Sequence, residues 1–229
     1  MTEYKRINKL SLMRIKEMHG VKMIRDMDAI FDDAERTGGI FEPESVEFWL
    51  KHCKKGQASF DVGAYTGLFT FLAQKAGCLS YGFEPNQAVR ERALQNRELN
   101  GFTGDEASIF EIAICDKKDE KQFYYNVHGL SSVGSLSPVS DPNYYTYKVE
   151  TMPLDWHFML DIPVCAIKID TEGFEQEVLE GATNILAKWK PGLIIELGTM
   201  EHIKIHSDYL KQFGYTKFER VDDRNLICE

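Results

Sequence analysis

Four short apolar runs, each giving way to a helical pattern, constrain this chain more than any other feature. "SFDVGA" leads into "LFTFLAQKAG", and "LSYGFEPN" into "QAVRERALQNRELNG" with its Asn100-Gly101 stop. "VCAIKID" precedes a helical pattern from about Glu175 to Trp189, and "GLIIELG" precedes "HSDYLKQFG". "ASIFEIAICD" reads as another strand and "TKFERVDDRNLICE" as a terminal hairpin. Strands alternating with helices predict a layered α/β fold around a mainly parallel sheet. With 229 residues, 43% of them hydrophobic, the chain can bury such a core.

Ahead of that pattern, Leu12, Ile15, Val21, Ile24, Met27, Ile30 and Phe31 recur at helical spacing between Ser11 and about Glu35. Gly38-Gly39 breaks the run, and a second helix is expected after Pro43. The expected organisation is a helical N-terminal extension over 1–55, without chemical motifs, and an α/β domain over 56–229. Lys121 to Glu150 departs from the alternation, with aromatic residues around a Ser/Gly/Pro loop. It reads as a hairpin with an exposed loop, or as a substrate cover.

A formal net charge of −9 gives no electrostatic footprint for nucleic acid, so a nucleic-acid partner is not expected. Cys53, Cys78, Cys115, Cys165 and Cys228 are scattered without a C-x-x-C pair, which suits a reducing compartment. The charged N-terminus lacks a signal-peptide core, and no run of about eighteen apolar residues would span a membrane. A cytoplasmic location is the expectation.

"FDVGAYTGLFT" places Asp61, Gly63 and Gly67 at a strand-to-helix turn, where glycine lets the backbone approach a ligand. The next strand ends in Glu84, about twenty residues on, where a carboxylate can accept both hydrogen bonds of a ribose diol. The glycines are spaced G-x-x-x-G, and Asp61 would repel a pyrophosphate. The same carboxylate suits the cationic amino-acid part of S-adenosylmethionine. No P-loop pattern is present.

"AIKIDTEGFE" puts Lys168, Asp170, Glu172 and Glu175 at the end of a core strand, where charges are rarely buried unless paired. Lys168 and Asp170 share a strand face. Asp170 and Glu172 are candidates to take a hydroxyl proton, orient a hydroxyl or bind a metal. Lys168 is a candidate to hold these acids ionised or to act as a base; the alternative is an ion pair with Asp170 or Glu196 that only fixes strands. Glu175, Glu177 and Glu180 are expected mainly on the solvated side of a helix, with Glu175 favouring the helix dipole. Glu196 is a candidate substrate or metal contact at the same sheet edge. His202 and His206 could bind a metal with Glu196, although an exposed helical pair is the commoner reading. Magnesium on Asp170, Glu172 and Glu196 is a comparable option. His128, Ser131 and Ser132 fall in the loop near the expected acceptor.

The chain resembles the FkbM family of class I S-adenosylmethionine-dependent methyltransferases from roughly Phe41 to the C-terminus. The resemblance rests on "FDVGAYTG", "YGFEPN", "NRELNG", "AICD", "VETMPLDW", "IKIDTEGFEQEVLEGA" and "PGLIIELG". It implies a Rossmann-like fold, with a seven-stranded sheet whose last strand runs antiparallel. It also implies methyl transfer to oxygen, often on sugars or polyketide-type products. By the same resemblance Asp61, Gly63, Ala64 and Gly67 contact the cofactor's methionine portion, Glu84 holds the ribose beside Pro85 and Asn86, and the segment around Ala113 passes the adenine. Tyr65 stands in the same turn where the family commonly has Asn, which alters the local pocket shape. The expected function is an O-methyltransferase acting on a hydroxyl of a sugar, glycan or other small molecule. The alternatives are a nucleic-acid methyltransferase and a non-catalytic cofactor-binding module of the same fold.

Overall fold

The computed structural model describes residues 14–102, 107–126, 134–140, 143–157, 161–197 and 199–229. From residue 14 the expected first helix is instead a hairpin of β1 (Ile15–Met18) and β2 (Val21–Ile24), followed by helix α1 (Ala29–Arg36). The reason lies in the two residues between the strands. His19 and Gly20 both take positive φ, +49° and +79°, which matches the twist of a tight hairpin and ends any helix. In β2 the buried Val21 and Met23 flank the exposed Lys22. The hairpin edge is capped from another element: Asn96 Oδ1 accepts from Ile24 N at 2.9 Å, and Asn100 Oδ1 from Lys22 N at 2.9 Å. Helix α2 (Pro43–His52) starts with proline in its first turn, as the sequence predicts.

The apolar runs become β3 (Ala58–Val62), β4 (Leu79–Phe83) and β5 (Ala107–Phe110), joined by α3 (Leu68–Lys75) and α4 (Gln87–Leu99). The segment "ASIFEIAICD" splits, because β6 (Ala113–Ile114) leaves the main sheet and pairs with β9 (Tyr144–Met152). Strands β7 (Asp119–Asn126) and β8 (Gly134–Ser135) complete a second, four-stranded sheet with β6 and β9 among the described residues. The aromatic segment is thus an antiparallel hairpin, with Phe123 opposite Tyr147 and Tyr125 opposite Tyr145. A short helix α5 (Leu154–His157) leads to β10 (Val164–Ile169). The helical pattern after β10 divides into α6 (Glu175–Glu180) and α7 (Thr183–Trp189). At the break, a side chain on Gly181 would overlap the Cys115 carbonyl. Strand β11 (Gly192–Glu196), α8 (Met200–Lys211), and the terminal hairpin β12 (Phe218–Arg220) and β13 (Asn225–Cys228) finish the chain.

Among the described residues, seven strands form the main sheet in the order β12-β13-β11-β10-β3-β4-β5. The last strand, β13, runs antiparallel to β11, as the resemblance implies. The chain winds outward from β3 to β5 and then returns to the other side of β3 with β10. The carboxyl ends of β3 and β10 therefore diverge at the switch point, where open α/β sheets bind ligands.

Side chains alternate between the two faces, and this decides what each face can do. Phe60, Val62, Ile167 and Ile169 pack with Val178, Leu179, Ile185 and Leu186 on one side. Ala166 packs on the other side with residues of the N-terminal hairpin, α1, α2 and α3. Asp61 and Lys168 project toward that second side, beneath the N-terminal segment. Among the described residues no helix is long and apolar enough to cross a membrane.

Candidate active site

A cavity of about 470 Å³ opens at the switch point, a size that suits a small-molecule ligand. Its wall includes Asp61, Gly63, Ala64, Tyr65, Glu84, Pro85, Asn86 and Ala113. Lys168, Asp170, Glu172 and Glu196 also line it, with Lys168 beside Asp61 in the β10–β3 register and the Asp170 backbone against Gly63. Gly67 is the exception among the expected cofactor contacts and does not line the cavity. It caps α3 with φ +91°, and a Cβ there would stand 2.5 Å from the Phe71 ring. Its role is to turn the chain. Ser132, with His128 and Ser131, lies outside the described residues.

Glu84 sits at the end of β4, buried at the cavity wall. Oε2 accepts from Tyr65 N at 3.0 Å and Oε1 from Asn86 N at 2.8 Å. When ionised, the carboxylate has two acceptor sites on each oxygen, so each keeps one for a hydroxyl. Burial pushes the carboxyl up to about 8, against those two backbone N–H groups. Asp61 is more deeply fixed: Oδ2 accepts from Thr70 N at 2.8 Å and Thr70 Oγ1 at 2.7 Å, tying β3 to the first turn of α3. Burial raises its pKa, with Lys168 opposing. Gly63 lies so close to the Asp170 backbone that only glycine fits.

Tyr65 takes φ +49°, a left-handed conformation that Asn adopts more readily. Its hydroxyl accepts from Ala29 N at 3.1 Å and so ties the turn to the start of α1. On the far side, Tyr147 of the four-stranded sheet donates to the Pro85 carbonyl at 2.6 Å. That sheet therefore braces the Glu84–Asn86 side of the cavity.

Lys168 is 5% exposed at its side chain and donates to Asp170 Oδ2 at 2.6 Å. Burial works against its charge, but Asp170, Glu42, Glu196 and Asp61 outweigh burial and raise its pKa. That direction opposes a role as base. Burial likewise opposes ionisation of Asp170, yet Lys168 wins and holds its carboxyl below the ordinary range. Glu196 moves the other way, pushed up to about 9 by burial and then by the Asp170 charge. The pair thus holds one proton between two carboxyls, on Glu196.

Glu172 follows at the cavity mouth with φ +55°. Burial, then Asp170 and Glu175, push its carboxyl up to about 7, although its exposure lets water screen part of this. Glu175 is not on a solvated face: it is buried, and Oε1 accepts from Gly173 N at 2.9 Å, Thr171 Oγ1 at 3.1 Å and Thr171 N at 3.3 Å. It clasps the turn that carries Glu172. Ser135 Oγ donates to the Glu172 carbonyl at 2.7 Å from the other side.

The N-terminal segment, which shows no motif, supplies a third wall through Ile30, Asp33, Phe41 and Glu42. Glu42 is buried in a left-handed conformation, and burial raises its pKa. Arg224, from the β12–β13 turn, reaches Asp33 at 3.0 Å, Glu196 at 3.6 Å and Glu42 at 3.7 Å. No spacing in the sequence marks these residues, because three distant segments meet only in the folded chain. His206 is buried with Nδ1 2.6 Å from the His202 carbonyl oxygen, and neither histidine lines the cavity. Among the described residues no three His, Cys, Asp or Glu side chains are grouped to hold a metal ion.

The order of the sheet, the cavity at its switch point and the acid that ends β4 define a class I methyltransferase fold. Residues 61–217 match the methyltransferase FkbM domain, and the chain belongs to that family. Among solved structures it is similar to the methyltransferase FkbM from Methylobacillus flagellatus KT, at 16% identity and a TM-score of 0.53. That match covers 76% of this chain and 44% of the other, so this chain spans less than half the length of that relative. It is also similar to Trm5b from Pyrococcus abyssi, at 11% identity and a TM-score of 0.54, covering 94% and 54% of the two chains. An rRNA methylase from Streptococcus thermophilus gives 12% identity and a TM-score of 0.51, covering 81% and 92%. At such identities these likenesses speak to the fold. No curated protein matches the sequence.

Proposed function

We propose that this protein is an S-adenosylmethionine-dependent O-methyltransferase acting on a hydroxyl of a sugar, glycan or other small molecule. The observation that carries the reading is one continuous cavity running from the ribose-type acid Glu84 to the acids Asp170 and Glu172. The residues fit the cofactor: once ionised, Glu84 has an acceptor site on each oxygen for a ribose diol, and Pro85, Asn86 and Ala113 line the wall beside it. When bound, that cofactor supplies an electrophilic methyl group on a sulfonium.

The chain's own residues then align a hydroxyl and take its proton. Glu172, with its carboxyl near 7, is matched to proton transfer at neutral pH and stands at the mouth where an acceptor enters. Asp170, held ionised by Lys168, accepts a hydrogen bond that orients the hydroxyl, and Glu196 keeps its own proton. Asp32, Asp33, Glu42, Asp170, Glu172 and Glu196 share the wall with Arg36, Lys168 and Arg224. Each of these cations is matched by a neighbouring acid, so the wall carries no cationic patch for a phosphate-rich acceptor, which supports a small, uncharged one. The five free cysteines suit a cytoplasmic enzyme.

Calorimetry with S-adenosylmethionine and with NADH tests the cofactor, and binding of NADH alone would sink the reading. Transfer of labelled methyl to a panel of glycans and hydroxylated metabolites tests the acceptor. Glu84→Ala is expected to abolish cofactor binding, whereas Asp170→Ala keeps binding and lowers turnover.

A further inference from the structure

The amino-acid end of the cofactor is a zwitterion, and the carboxylates around the Gly63 turn can satisfy only its ammonium. We propose that Lys168 binds the carboxylate of that methionine portion, an assignment that rests on the S-adenosylmethionine reading above. Three observations place it there. Lys168 is paired with Asp61 in the β10–β3 register, so the cation and the acid stand side by side on one face. Its Nζ lies 5.0 Å from the centre of the Phe69 ring, at the second residue of α3, directly after the Gly63–Gly67 turn. It lines the cavity while otherwise enclosed by protein.

The ammonium also has donors to spare. Of its three N–H groups, one is engaged with Asp170 Oδ2 at 2.6 Å. The other cations on the cavity wall are committed elsewhere: Arg224 bridges Asp33, Glu42 and Glu196, and Arg36 pairs with Asp33. An α-ammonium beside Asp61 and an α-carboxylate beside Lys168 alternate charge with the protein, so neither end of the zwitterion is left uncompensated in a desolvated site. The acids around Lys168 keep it charged for this task and leave proton removal to Glu172.

The test compares two probes by calorimetry. S-adenosylhomocysteine carries the amino-acid end; 5′-methylthioadenosine keeps adenine, ribose and sulfur but lacks it. Lys168→Met is expected to weaken S-adenosylhomocysteine roughly ten- to hundredfold, the size of a lost charged hydrogen bond, and to change 5′-methylthioadenosine by less than about threefold. An equal loss for both probes assigns Lys168 a structural role and overturns the proposal, as does no loss for either. If the variant does not fold, the wild-type protein decides. With lysine side chains isotopically labelled, the Lys168 signal must move on adding S-adenosylhomocysteine and stay in place with 5′-methylthioadenosine; movement with both, or with neither, overturns the assignment. A wild-type protein that binds neither probe instead overturns the cofactor reading itself.

Discussion

A side chain on Gly63 would occupy the position of the Asp170 carbonyl oxygen. The turn after β3 and the end of β10 are therefore in backbone contact. Gly63 also holds φ +78°, so an alanine there meets both a clash and a strained backbone.

Gly63→Ala is expected to cost more than about 3 kcal/mol, because backbone atoms on both sides must move. Gly39→Ala is the control: φ is +100° but nothing lies within 4 Å, so about 1 kcal/mol is expected. Thermal unfolding of the two variants checks this, and equal melting temperatures would remove the Asp170 contact as the cause.

Stability should fall as the pH rises from about 4.5 toward 8. Glu84 titrates near 8 when folded, against an ordinary value of 4.5, so across that interval the folded protein holds a proton that the unfolded chain has released. Its contribution is intact below the unfolded value and is lost progressively up to the folded one, by roughly 4–5 kcal/mol at most. Glu172, raised to about 7, and Asp28, raised to about 6, act in the same direction. Glu84→Gln removes its share of the slope, so its melting temperature relative to wild type should improve between pH 5 and pH 8. A parallel pH dependence in the two proteins would contradict the assignment.

Glu175→Ala should destabilise by about 2 kcal/mol, since Thr171 and Gly173 lose their common acceptor. Glu175→Gln keeps an acceptor oxygen and should lose less than half as much. In the Gln variant the Glu172 carboxyl should titrate lower, because the Glu175 charge helps to raise it. Carbon-13 titration of the carboxyl signals reads this directly, and an unmoved Glu172 would disprove the coupling.

Tyr65→Phe is expected to cost about 1 kcal/mol by leaving Ala29 N without its acceptor. Amide exchange should accelerate in α1 more than in α4. Uniform acceleration, or none, would show that the hydroxyl does not tie the turn to that helix.

The order of strands and helices was legible because each apolar run carries its own period and stops, and those signals are local. "IKIDTEGFE" likewise placed Lys168, Asp170 and Glu172 at a strand end, since that position depends on spacing within one segment. The apolar residues of the hairpin at 15–24 also fit helical spacing, and the His19-Gly20 turn that decides against a helix is a backbone property. What the sequence could not express was which distant groups share a low-dielectric space. Glu42, Arg224 and Asp33 come together only when the N-terminal segment and the last hairpin close over the face that bears Asp61 and Lys168. Glu175 looks like a helix-start acid in sequence, and tertiary packing turned it inward onto the Glu172 turn. The protonation pattern follows the same division. Residue identity sets the ordinary pKa, whereas burial and neighbouring charges, fixed by the tertiary structure, keep Lys168 and Asp170 charged while Glu196 holds its proton.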